Sequence, residues 1–289
     1  MAVLGVRSPL LPTSLRLSVV AAMLAVIGNV IALRVERIYA ALTPTFLTEA
    51  IAQDVVNLMI VSPLWLVLTV LALRGSMRAY LIWIGVSTFT AYNYVIYAFA
   101  IPFGPLFLLW VSVLGLSLYS LIGAITAIDC KVVQLCFPNR SAVQVAAWFL
   151  MITAVLFSLL WLSEDVRALV TGKTPQSLID LALPTNPVHI LDLAFFLPAA
   201  IVTGALLIKR RAFGFVVAPA FSVFLILVGL PILLTPVIQA VRGQEANWGI
   251  TVPIGILTVF SAAVLAPAYS PQFSALMIRR AAVPTSQPS

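Results

Sequence analysis

Eight runs of apolar residues set the frame of this chain: 17–33, 55–73, 80–101, 105–127, 142–162, 187–208, 213–240 and 249–268. Each is about long enough to cross a hydrocarbon core of about 30 Å as a helix rising about 1.5 Å per residue. The pattern predicts an all-α fold, a polytopic transmembrane helix bundle forming one transmembrane domain over residues 1–289. Two polar stretches are long enough to be more than turns, residues 34–54 and 163–186, and each is expected to form an amphipathic segment on the membrane surface. The seventh run is overlong and carries Pro219, Pro231 and Pro236. It predicts a kinked or tilted helix whose freed carbonyls find other partners. The first run has a rival reading as a signal peptide, with Tyr39-Ala40-Ala41 as a weak cleavage site. The tail 281–289 is expected to be disordered.

The two long loops open an internal repeat. Thr43-Pro44 followed by Leu47 and Glu49 matches Thr174-Pro175 followed by Leu178 and Asp180 at the same spacing. Beyond a difference in loop length, Asp54-x-x-Asn57-Leu58 aligns with His189-x-x-Asp192-Leu193. Pro63, Val67, Leu71 and Arg74 then align without a gap on Pro198, Val202, Leu206 and Lys209. The spans divide as four plus four, and an even number per unit predicts two halves in the same orientation, related by an axis along the membrane normal.

Charge decides which side is which. With the N-terminus inside, the cytoplasmic segments carry Arg7, Arg16, Arg74, Arg78, Lys131, Arg140, Lys209, Arg210, Arg211, Arg279 and Arg280. The outer segments carry Arg34, Arg37, Arg167, Lys173 and Arg242. This bias places both termini in the cytoplasm and the two long loops outside. Composition agrees with the class: 62% of the residues are apolar, 9% are charged and the mean hydropathy is +1.13. The net charge of +7 comes from short basic clusters between apolar runs rather than from a soluble domain, so nucleic acid is not expected as a partner. Cys130 and Cys136 fall on the cytoplasmic side, where thiols stay reduced, which argues against a disulfide or an outward thiol enzyme.

The candidate chemistry is concentrated where ionisable groups meet apolar runs. His189 is the only histidine, and Asp192 is the only carboxylate inside a span. Such residues are costly at membrane depth and mark a site unless they are paired structurally. Asp54 with Asn57, and His189 with Asp192, are spaced to share one helix face. Under a two-fold axis the two faces oppose each other near the outer surface. Asn29, and Tyr92-Asn93-Tyr94 with Tyr97, reach a similar depth, so Asp192, His189, Asp54, Asn57, Asn93, Tyr94 and Asn29 are expected to line a pocket that opens outward. The structural alternatives are equally concrete. His189 is then an interfacial residue bonded to a loop carbonyl, Asp192 an acceptor for Asn57, Asn93 or a tyrosine hydroxyl, and the tyrosines, Tyr97 above all, an aromatic belt at the headgroups. A hard or borderline cation held by Asp54, Asn57, His189 and Asp192 is a further reading, whereas a structural zinc site is not expected with one histidine and no outward cysteine.

No glycine-rich phosphate loop, H-E-x-x-H or nucleophile elbow is present. The segments TNPVHILDLAFFLPA and YNYVIYAFA resemble those of multi-pass bacterial integral membrane proteins, over the second to the seventh span. The resemblance implies a plasma-membrane bundle and assigns no role to any residue. The leading expectation is a transporter-like or solute-binding bundle that takes a small solute or lipid from the outer side. An enzyme using Asp192 and His189 on a lipid-borne substrate is one alternative, and an assembly or sensory protein is another. The residues set neither a cofactor nor an oligomeric state.

Overall fold

A computed structural model describes residues 10–137 and 139–266. Its helices are α1 (Leu10–Arg34), α2 (Pro44–Val56), α3 (Ser62–Leu73), α4 (Met77–Ala100), α5 (Phe107–Ala127), α6 (Cys130–Leu135) and α7 (Arg140–Thr171), then α8 (Gln176–Leu181), α9 (Pro187–Leu191), α10 (Leu197–Ile208), α11 (Ala212–Val241) and α12 (Thr251–Leu265). No strand occurs among the described residues. Seven helical stretches are long and apolar enough to cross a membrane: Pro12–Arg34, Pro44–Leu73, Phe107–Ala127, Arg140–Thr171, Pro187–Ile208, Ala212–Val241 and Trp248–Leu265. The chain is a polytopic, all-α membrane bundle.

The run expected as an eighth span, 80–101, is the helix α4, 24 residues long. Its Ser87, Thr88, Thr90, Asn93 and tyrosines make it less apolar than the seven. The reason lies in its position: α4 packs against α3, α5 and α11 and is buried on almost every side. A helix shielded from lipid can carry polar groups that find partners inside the bundle. The indole of Trp83, for example, donates to Thr69 Oγ1 (3.0 Å) and Ser18 Oγ (3.1 Å).

Both long loops prove shorter than expected. Thr43 caps α2 by accepting from Phe46 N, and Pro44 occupies the first turn, where its missing N–H costs nothing. The helix therefore begins at Pro44, not Val55, and runs into the second span. Glu49, Gln53 and Asp54 hid this start, because their polarity breaks the apolar run. At the other loop, α7 continues to Thr171 and is ended by Gly172 in the left-handed region (φ 64°). The proline-rich seventh run is one uninterrupted helix, α11.

The aligned stretches share local geometry. A π-turn at Asn57–Val61 joins α2 to α3, and another at Asp192–Phe196 joins α9 to α10. Each closes with an amide reaching five residues back, Ser62 N to Asn57 O and Leu197 N to Asp192 O. In both, proline follows at the second position of the next helix, Pro63 and Pro198. The wider turn relieves the clash between a proline ring and the preceding carbonyls. Both helices then end alike, with Ser76 N bonded to Leu71 O and Arg211 N to Leu206 O, and with Gly75 and Arg210 at positive φ.

The loops sort to two ends. At one, Thr43 Oγ1 donates to Asp180 O (2.7 Å) and Thr48 Oγ1 to Gln244 Oε1 (2.9 Å). At the other, Gln134 Nε2 donates to Arg210 O (2.6 Å). Arg7, Arg279, Arg280, the tail 281–289 and the end of the last expected span lie outside the described residues.

Candidate functional site

Between α2, α4 and α11, at the end that carries the Thr43 and Thr48 contacts, lies a cavity of about 420 Å³, within the range of small-molecule sites. Each helix gives it one face. Phe46, Glu49, Ala50 and Gln53 come from α2, Phe89, Tyr92, Asn93, Ile96 and Tyr97 from α4, and Val228, Pro231, Ile232, Thr235 and Gln239 from α11. The spacing of three and four residues is that of an amphipathic face turned toward an interior space.

Helix α4 forms the floor. At about 100° per residue, Tyr92 and Tyr97 stand roughly 140° apart on the helix and bracket Asn93 and Ile96. Each tyrosine is bolted outward to a carboxylate. The Tyr97 hydroxyl donates to Asp54 Oδ1 (2.6 Å) and the Tyr92 hydroxyl to Asp192 Oδ1 (3.1 Å). Asp54 is completely buried, and its second oxygen accepts from Tyr39 (2.7 Å), which the 3-10 turn Glu36–Tyr39 delivers. Burial, and then the charge of Asp54, push the Tyr39 hydroxyl above its usual range, so it stays protonated and donates. Asp192 is only half-buried, and its second oxygen accepts from the indole of Trp161 (2.9 Å).

Of the seven residues expected to line one outward pocket, only Asn93 does. The Asp54–Asn57 and His189–Asp192 pairs do not meet. Asn57 Oδ1 accepts from Gln53 Nε2 (3.0 Å), leaving Asn57 Nδ2 buried and unpartnered among the described residues. Asn29 and Tyr94 sit together in the interior beside the Asp54 anchor. The His189 ring is not bonded to a loop carbonyl among the described residues. Its Nδ1 lies 3.0 Å from Asp165 Oδ1 and its Nε2 3.9 Å from Glu164 Oε2, while Trp161 stacks on the ring at 4.5 Å. Asn186, which caps α9 by accepting from Val188 N and His189 N, fixes the start of this helix. Nor is Tyr97 a headgroup-belt residue: it is 3% exposed and packed on Tyr94 and Trp110. Asp192 does accept a tyrosine hydroxyl, one of the structural roles open to it. No group of three or more His, Cys, Asp or Glu side chains that could hold a metal ion occurs among the described residues. At the opposite end, burial and then Asp129 push the Cys130 thiol up, away from a reactive thiolate.

Asn93 is the feature that the anchors leave unexplained. It is 3% exposed, lines the cavity, and its Nδ2 has no hydrogen-bond partner among the described residues. A buried donor left unmade costs about 1–3 kcal/mol, and Asn93 Nδ2 is itself covered at the cavity wall, so a ligand oxygen would relieve that cost only after a small turn of the side chain. Glu49 and Gln53 were missed as lining residues because their stretch reads as loop. The signal was present in the spacing of Phe46, Ala50 and Gln53, which is helical.

Asp192→Asn tests how far that anchor is structural. Asparagine keeps one acceptor for Tyr92 or Trp161, and interhelical polar pairs in membranes are worth only about 0.6 kcal/mol on average. A shift of the thermal midpoint within a few degrees is expected for the purified variant. A collapse of the folded fraction would make Asp192 a packing element of the same weight as Asp54.

The fold and site thus define a multi-pass helical membrane protein with a cavity between three of its helices. The chain matches no protein-family model, no curated protein and no solved structure in searches of each.

Proposed function

We propose that this protein is a transporter-like or solute-binding bundle of a bacterial inner membrane, whose cavity takes a small solute or lipid-derived ligand from the outer side. The observation that carries the reading is a cavity of ligand size lined by Glu49, Gln53 and Asn93, the last with its amide nitrogen unpartnered and buried at the wall. The outer placement rests on the basic residues: Arg74, Arg78, Lys131, Arg140 and Lys209 to Arg211 gather at the end opposite the cavity. The same reading takes the two halves as a duplication. It is supported by the matched π-turns, prolines and helix ends, and by α4 packing on α11, the span that follows in the other half. The halves differ elsewhere, since α1 packs along α5 whereas α7 and α12 meet more loosely, with Phe149 against Phe260 (5.0 Å), around an apolar crevice of about 840 Å³.

Catalysis by His189 gains no support from the geometry. Both ring nitrogens face carboxylates, Trp161 covers the ring, and the residue does not line the cavity.

A single cysteine tests both access and sidedness. In a background with Cys130→Ala and Cys136→Ala, Thr235→Cys is expected to react on intact cells with a membrane-impermeant thiol reagent, and Ala50→Trp is expected to block that labelling. Labelling that requires permeabilised cells would reverse the orientation, and a cysteine unreactive under both conditions would remove the open cavity.

A further inference from the structure

The cavity is unevenly equipped. Glu49 is the one ionisable acid among its lining residues, and no lysine, arginine or histidine lines it. Glu49 is exposed at the rim, makes no ion pair or hydrogen bond among the described residues, and has Asp180 as its charged neighbour. Asp180 is brought there by the Thr43 contact to its carbonyl. The rim and wall carry acceptors on α2 and α11, while Gln239 and Asn247, whose side-chain oxygens accept from Asn247 N and Gly249 N, keep their amide N–H groups as donors. Gln53 spends its amide N–H on Asn57, leaving its carbonyl oxygen for the cavity. Pro236 lacks the N–H that would close on Ile232 O, one turn back along the lining. Thr235 turns its hydroxyl proton onto Pro231 O.

The aromatic side chains fit the same pattern. Phe46, Phe89, Tyr92 and Tyr97 line the cavity, and ring faces attract cations, most strongly where water is excluded. Tyr92 and Tyr97 each donate their hydroxyl to a carboxylate. That bond pushes electron density into the phenol ring and deepens the negative character of its face. In the interior Asn93 holds an unpartnered N–H donor, covered at the wall, that an acceptor on the ligand would satisfy once the side chain turns toward it. Between the two, Ala50, Ile96, Val228 and Ile250 provide apolar surface.

Building on the cavity reading above, we infer that the ligand is an amphiphilic organic cation, with its ammonium group at Glu49 and the aromatic rings, and a neutral oxygen acceptor within reach of Asn93. An anion is disfavoured by Glu49 and Asp180, and a purely apolar molecule leaves Asn93 unsatisfied. Selectivity comes from charge at the rim and from a single hydrogen bond inside.

Butyrylcholine carries both groups, and 3,3-dimethylbutyl butyrate is its uncharged carbon isostere. With the full-length protein in lipid nanodiscs, titration calorimetry is expected to show butyrylcholine binding about tenfold more tightly than the isostere, the ratio that roughly 1.4 kcal/mol carries. Glu49→Gln is expected to erase that ratio while leaving the thermal midpoint unchanged, since Glu49 is exposed at the rim. Asn93→Ala is expected to weaken both compounds, and Thr251→Ala, outside the lining, neither. Equal binding of cation and isostere overturns the cation assignment and leaves the cavity reading standing. Undiminished cation binding in Glu49→Gln, or no binding of butyrylcholine to the unaltered protein, also overturns the assignment, with the labelling of Thr235→Cys still reporting separately on the cavity.

Discussion

Gly85→Ala is expected to destabilise the bundle by about 1–3 kcal/mol, and Gly85→Leu by more, because the two central helices meet at this residue. A Cβ at Gly85 would stand 2.5 Å from Val223 Cβ and 2.9 Å from the Ala220 carbonyl oxygen. The second contact is to backbone, so no rotamer change on α11 relieves it and the helices must separate. Small residues at such crossings let backbones approach, which is how helices associate where lipid removes the hydrophobic incentive. Gly115→Ala is the matched control. Its Cβ would meet nothing within 4 Å, so the change recovers helix propensity worth about 1 kcal/mol. Thermal denaturation of both variants in one detergent decides the matter, and a Gly85→Ala protein melting like the unaltered chain would mean that α4 and α11 do not cross so closely.

The Asp54 anchor carries the second large effect. Asp54→Ala removes the acceptor of two buried hydroxyls, Tyr39 and Tyr97. Each orphaned donor costs about 1–3 kcal/mol, and the loss is expected near the sum, about 2–6 kcal/mol. The informative comparison adds Tyr39→Phe and Tyr97→Phe to Asp54→Ala. Once all three polar groups are gone, nothing is left unsatisfied, and most of the lost stability is expected to return. Pulse proteolysis of the unaltered protein, Asp54→Ala and the triple variant reads the order directly. A triple variant no more stable than Asp54→Ala would show that the carboxylate contributes by something other than these two bonds.

The membrane architecture was legible because hydrocarbon imposes length and apolarity on whatever faces it, and the helices of the bundle follow the apolar runs closely. Helix ends were legible only where capping residues mark them. Thr43-Pro44 was visible as half of a repeat, yet it is also an N-cap with proline in the first turn, and reading it so would have placed Glu49 and Gln53 on a helix face. The chemistry was harder. His189 and Asp192 stand out because charge is rare in a span, but rarity does not say which helix lies opposite. Their partners, Glu164, Asp165 and Trp161, fall at or beyond the end of an expected span, where acidic residues resemble loop. Asp54 looked like the last residue of a loop and is in fact wholly buried. What hid it was the assumption that polarity ends a helix, when in a bundle interior it can mark the face turned away from lipid.

Helix α7 has 32 residues, so at about 1.5 Å per residue it measures roughly 48 Å against a hydrocarbon layer of about 30 Å. The surplus carries Glu164 and Asp165, and those two carboxylates limit how far the helix can sink, since immersion would drag charge into hydrocarbon. Through His189 they are also tied to the start of α9. The contact is therefore expected to act as a depth gauge that couples two helices to one level, so that in a thinner or thicker bilayer the lipid would adjust around the protein while α7 and α10 keep their register.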